Sequence, residues 1–162
     1  MRRVLLTGFE PFGGERTNPS ARAVAMLSGQ EVTGISVKTA ILPVVFGKSG
    51  KMVAELIQSV QPDAVIGVGQ SGGTAAIRVE RFALNLDDAR RPDNEANAPH
   101  DTPICATGPI GYMSTLPVKR IVDELCAAGI PAVLSNSAGT YVVTTCSTQL
   151  CIALLKQGST QS

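Results

Sequence analysis

Apolar positions fall along this chain in two alternating arrangements, short unbroken runs and stripes at helical spacing, and their order predicts an α/β protein. Residues 4–9 read as a central strand, closed by a turn rich in glycine and proline. Asn18-Pro19 supplies a capping side chain and a fixed first-turn φ, so a helix is expected through residues 20–27. Ile35–Leu42 is strand-like. Within Lys48–Val60, Met52, Leu56 and Val60 recur at helical spacing, and Pro62 ends the pattern. Residues 64–68 form a short buried strand that stops at Gly69-Gln70. Residues 81–86 alternate like a half-buried strand or one arm of a hairpin.

Residues 87–111 read as a long polar loop, and loops of that length usually carry function. An amphipathic helix follows over 116–128, with Leu116, Ile121 and Leu125 on its stripe and Gly129 at its end. Residues 131–136 are another strand, and Ala138-Gly139-Thr140 turns into a last helix. Strands and helices in alternation predict a three-layer α/β/α sandwich with a mainly parallel sheet. With no repeat or linker to divide it, residues 1–162 form one domain.

Composition agrees with that architecture. Apolar residues make up 44% of the 162, with no Trp, which suits a parallel sheet buried on both faces. The 14 basic and 13 acidic side chains nearly cancel, so neither nucleic acid nor an anionic membrane is an expected partner. No apolar run approaches the roughly 20 residues of a membrane span. The run after Met1-Arg2-Arg3 ends at Phe9-Glu10-Pro11, too soon for a signal peptide, and a cytoplasmic location is expected. Cys105, Cys126, Cys146 and Cys151 lack metal-site spacing. In a reducing compartment they are expected to stay free, with no metal and no cofactor.

Gly67-Val68-Gly69-Gln70-Ser71-Gly72 matches a dinucleotide fingerprint in form, with Asp87 twenty residues after the first glycine. That fingerprint requires a helix to open directly after the glycines. Here residues 74–86 alternate instead, so a tight turn at a strand end is the better reading. Phe9 and Phe12 flank Pro11 just after the first strand; they serve either as core or as an apolar slot for a flat, uncharged ring. Glu80 between Arg78 and Arg81 is, taken alone, a surface ion pair. His100, the sole histidine of the 162 residues, sits in the polar loop, where a solvated side chain is expected.

Several motifs occur together. Leu5-Leu6-Thr7-Gly8-Phe9-Glu10-Pro11-Phe12-Gly13-Gly14, Glu80-Arg81-Phe82-Ala83-Leu84-Asn85 and Asp88-Ala89-Arg90-Arg91-Pro92-Asp93-Asn94 precede Gly139-Thr140-Tyr141-Val142 in collinear order. The chain thereby resembles pyroglutamyl peptidase I, the pyrrolidone-carboxylate peptidases, over residues 1–142. The resemblance implies a cysteine-type peptidase that removes N-terminal pyroglutamate from peptides, a cytoplasmic enzyme built as a homotetramer. It implies a lactam pocket made by Phe9, Phe12, Asn18 and Gln70, Arg90 near the reacting carbonyl, and Glu80 orienting a catalytic imidazole. Thr74 and Val79 stand where the family usually has arginine and proline.

The family's next residues after Gly-Thr-Phe-Val are Cys-Asn-His, with the cysteine as nucleophile. Here the nucleophile position holds Val143, and the family's histidine would lie past Ser162. The chain is therefore expected to be inactive, a truncated domain with an aberrant tail over 143–162 and its C-terminal elements missing. The alternative is a non-catalytic pseudoenzyme, a lactam-binding or oligomerising subunit, which a folded tail would favour. Codons for Cys-Asn-His-Val-Phe-Tyr, TGT AAC CAC GTG TTC TAC, give Val-Thr-Thr-Cys-Ser-Thr when read one base later. Those are residues 143–148, so with these codons a displaced reading frame near codon 143 is the expected origin of the tail. Cys146 lies three residues further on, about 4.5 Å along the helix axis, and is not expected to replace the nucleophile.

Overall fold

A computed structural model of the chain describes residues 1–158. In chain order its elements are β1 (Arg2–Phe9), α1 (Pro19–Met26), β2 (Glu31–Val32), β3 (Ile35–Leu42), α2 (Lys48–Val60) and β4 (Ala64–Gly67). They continue with β5 (Ile77–Glu80), β6 (Phe82–Leu84), β7 (Gly111–Met113), α3 (Val118–Ala127), β8 (Ala132–Ser135) and α4 (Val142–Gly158).

β1 is the centre of the main sheet, whose order is β2-β3-β1-β4. It pairs in parallel with β3 along its whole length, from Arg2↔Ile35 to Phe9↔Leu42, and with β4 from Val4↔Ala64. Its apolar run is continuous because both faces are covered. Leu5 and Phe9 join Leu42, Val53, Ile57 and Val65 in one core, whereas Leu6 joins Val24 and Val37 in another. Helices α2 and α4 contribute to the first core and α1 to the second, which gives the α/β/α layering. Fully burying each of Leu5, Leu42, Val53 and Ile57 contributes about 1.5–3 kcal/mol.

The local signals hold where they are strong. Asn18 caps α1, its Oδ1 accepting from Ser20 N–H at 2.9 Å, with Pro19 in the first turn. β5 and β8 pair in parallel, with Glu80 opposite Ser135, and α3 packs against both. α3 starts later than the apolar stripe suggests because Pro117 occupies its N-cap, and none of its side chains is fully buried. The hairpin arm is β6, which pairs antiparallel with β7 across the long loop. That loop is pinned at its root, where Asp87 and Thr102 form an isolated bridge.

Much of the stretch expected to be aberrant folds as α4. Val142, Thr144, Thr145, Cys146 and Thr148 are all buried there. Thr148 Oγ1 donates to Leu84 O at 2.7 Å, and Thr144 Oγ1 to Gly139 O at 2.6 Å. Residues 159–162 of that stretch lie outside the described residues. No described helix is long and apolar enough to cross a membrane.

Candidate functional site

At the carboxyl end of the main sheet the chain builds a small apolar cleft. Such strand ends are where ligands sit in open α/β sheets. Phe9, Phe12, Asn18 and Gln70 line it together with Val44, Tyr141, Val142 and Val143. All four residues assigned to a ring pocket from sequence therefore share one cleft.

Each arrives there for a local reason. Phe9 is the last residue of β1, and Phe12 sits in the turn after it. Val68 N–H donates to Thr7 O at 2.8 Å, extending the β4 pairing and delivering Gln70 to the same end of the sheet. Asn18 turns most of its polar capacity to structure, since its amide donates to Glu10 O at 3.0 Å while its oxygen caps α1. Val143 stands in the first turn of α4, and its two methyl groups lie 3.1 Å from where a side chain on Gly69 would begin. A side chain at position 69 would press on these methyl groups.

Three residues of this neighbourhood, Tyr141, Phe46 and Arg91, were given no role from sequence. Tyr141 meets Phe12 at 6.0 Å between ring centroids and Phe46 edge-on at 5.3 Å. Its hydroxyl donates to Pro92 O at 3.0 Å, tying the start of α4 to the long loop. Arg91 lays its guanidinium over the Phe12 ring, 4.8 Å from the centroid, and 5.8 Å from that of Tyr141. Burial pushes the Tyr141 phenol above its ordinary value, and the nearby Asp93 carboxylate adds to this against the pull of Arg91. The one available signal was the placement of Tyr141 at the turn into the last helix.

The rim is organised by two acids. Asp93 accepts from the backbone N–H groups of Phe46, Glu95 and Asn97 and from the Asn97 amide. Burial works against its charge, but these donors together hold its carboxyl below the usual range. Glu10 Oε1 accepts from Val44 N–H and from Asn94 Nδ2.

Arg90 is exposed on the loop and Glu80 lies on β5; neither lines the cleft. Glu80 Oε1 is 3.5 Å from Arg78 Nε, so the plain ion pair is present. Its other oxygen is buried without a hydrogen-bond partner. Gln70 Oε1 is the second such atom among the described residues. Buried polar atoms are nearly always paired, so an orphan needs a reason. Both orphans belong to residues singled out from sequence. His100 is exposed, with Nδ1 3.5 Å from Asp88 Oδ1.

No thiol faces the cleft from the helix start. Cys146 is buried in the first core, where loss of solvent pushes its thiol up to about 12. The described residues contain no cluster of three or more His, Cys, Asp or Glu arranged to hold a metal.

The family model for pyroglutamyl peptidase matches residues 2–160. The chain belongs to the pyroglutamyl peptidase family. Pyrrolidone-carboxylate peptidase 1 of Photorhabdus laumondii is 52% identical over 142 residues, covering 88% of this chain and 64% of that protein. The Bacillus licheniformis pyrrolidone-carboxylate peptidase is 53% identical over 141 residues, covering 87% and 66%. The chain thus spans a little under two thirds of these relatives. Among solved structures, Bacillus amyloliquefaciens pyroglutamyl peptidase I superposes with a TM-score of 0.94 at 43% identity, over 98% of this chain and 77% of that one. A mutant pyrrolidone carboxyl peptidase from Pyrococcus furiosus gives 0.94 at 42%, over 96% and 75%. The family model and these superpositions extend beyond the length of the pairwise matches.

Proposed function

We propose that this member of the pyroglutamyl peptidase family holds the lactam ring of N-terminal pyroglutamate in the Phe9–Phe12 cleft and does not cleave the following bond. Val143 carries this reading: a branched alkyl group lines the cleft at the start of α4, where the resemblance assigns the attacking thiol. A helix N-terminus lowers a thiol's pKa and presents N–H groups to an oxyanion, but only if a thiol is there. The nearest cysteine in sequence, Cys146, is buried and held neutral.

In the binding reading, Phe9 and Phe12 cover the ring faces and Gln70 Oε1, unpartnered, accepts the lactam N–H. Glu80 keeps a buried oxygen without a protein donor, which suits the imidazole-orienting role the resemblance gives it, and the resemblance places Arg90 near the reacting carbonyl. The integration of α4 into the core supports a folded, non-catalytic subunit over an unstable fragment. Proposals carried with it are a cytoplasmic location and a homotetramer, the latter checked by light scattering. A displaced reading frame over 143–162 is also proposed; a gene sequence that hides no Cys-Asn-His in the adjacent frame from codon 143 removes it.

The deciding experiment pairs turnover of a pyroglutamyl chromogenic substrate with calorimetric titration of the same substrate's lactam end. Binding without turnover is expected. Turnover at family-like rates would overturn the proposal, as would absence of binding by a folded chain.

A further inference from the structure

We infer that Arg91 makes the cleft selective for a carboxylate carried next to the lactam ring, so that free L-pyroglutamate is a better ligand than a neutral pyroglutamyl amide. This rests on the lactam reading of the cleft.

The guanidinium is seated rather than loose. It lies over two aromatic walls of the cleft, Phe12 and Tyr141. Its Nη1 occupies the space beside Gly13, where an added side-chain carbon would stand only 2.8 Å away. Gly13 has φ +64°, a conformation that favours glycine, so the turn both requires the small residue and leaves the guanidinium its place. Arginine stacks on aromatic faces while keeping its N–H fork free for a bidentate acceptor.

Its charge is not spent inside the protein. The ion pairs of the described residues join Lys48 with Glu95, Arg78 with Glu80, His100 with Asp88 and Arg120 with Glu124, and none includes Arg91. Of the acids of the rim, Asp93 commits both oxygens, and Glu10 its Oε1, to backbone and asparagine N–H groups. A cation stacked on two walls of an apolar slot, and outside the ion pairs of the described residues, is matched by a ligand that is flat and apolar at one end and anionic at the other. In L-pyroglutamate the carboxylate is attached directly to the ring; in a pyroglutamyl peptide the same carbon carries a neutral amide.

Because Arg91 is exposed, the expected preference is moderate, about fivefold, as for a solvent-accessible charge pair with good geometry. The test is calorimetric or NMR titration of the 162-residue chain with L-pyroglutamate and with L-pyroglutamamide, at about 50 mM and about 500 mM NaCl. L-Pyroglutamate should bind about fivefold tighter at low salt, and salt should erase most of that margin. Arg91→Met should equalise the two ligands; the salt series on the unaltered chain gives an answer that needs no variant. Equal affinities in the unaltered chain would overturn the Arg91 inference and leave the cleft reading intact. A folded chain that binds neither ligand would remove both.

Discussion

The hydroxyl of Thr145, in the first turns of α4, donates to the carboxylate of Asp87 at the root of the long loop, and both residues are buried. With the Tyr141 hydroxyl on Pro92 O, this bond fastens the helix that supplies Val143 to the loop that supplies Arg91. Thr145→Val would keep the shape and leave a buried acceptor without its donor, at a cost of about 1–3 kcal/mol. Urea unfolding of the two proteins measures it; a change below about 0.5 kcal/mol would mean that the bond contributes nothing.

Asp87 also gives stability a pH dependence of unusual sign. Burial raises its pKa above the ordinary 3.8, and the Thr145 hydroxyl only partly offsets this. In the window just above 3.8 the unfolded chain has released this proton and the folded chain still holds it, so stability falls as pH rises. Asp93, held below 3.8, acts oppositely: its contribution is present above 3.8 and is lost as pH falls through its folded value. Asp87→Asn should therefore gain on the unaltered protein as pH climbs from 3.5 to 7, and Asp93→Asn should lose ground. Parallel pH–stability curves for all three proteins would refute the assignment.

Asp87 and Thr145 also mark what could and could not be read from sequence. Asn18-Pro19, the Lys48–Val60 stripe and the runs forming β1 and β3 are local signals, and each element formed where expected. Asp87 looked like the first residue of a solvated loop; its burial follows from α4 packing across it, which no nearby residue announces. β7 is only three residues long and exists because β6 pairs with it across the intervening loop. The cleft was half legible: Phe9, Phe12, Asn18 and Gln70 came from motifs, whereas Tyr141, Phe46 and Arg91 meet only through tertiary packing.

Phe12 is a wall of the cleft and the ring beneath Arg91. Phe12→Ala should weaken L-pyroglutamate binding by at least tenfold and reduce the preference over the amide, because Arg91 loses its platform. Calorimetry on a variant with an unchanged circular dichroism spectrum provides the check. An unchanged affinity would mean that the ring lies elsewhere.

Placing sulfur at position 143 should not by itself produce an efficient peptidase. Val143→Cys puts a thiol at the helix start, yet His100 is exposed on a different segment and pairs with Asp88. Without a base for the thiol and an acid for the leaving amine, a factor of about 10²–10⁴ is forfeited. Turnover on a pyroglutamyl chromogenic substrate should stay at least a hundredfold below that of an active family member. Full activity in this variant would show that another group serves as base.

The cysteines offer an independent check on α4. A thiol pushed up to about 12 and buried in the core should resist alkylation at pH 8, while exposed Cys126 should react readily. Mass spectrometry after iodoacetamide should find Cys126 labelled in the folded chain and Cys146 labelled only under denaturant. Early labelling of Cys146 would mean that α4 is not seated against α2.

Where Gly69 and Val143 meet, the main chain after β4 faces the two methyl groups of Val143, 3.1 Å from where a side chain on Gly69 would begin. Exposed side chains change rotamer within picoseconds to nanoseconds, whereas Val143 is β-branched and on a helix keeps to one strongly preferred χ1 rotamer. Fit at that side is a matter of shape, with little induced adjustment. It also makes the cleft easy to retune over generations. One carbon added at position 69 would press on Val143 and narrow the opening, so a one-residue change could redefine which rings enter without touching any polar contact.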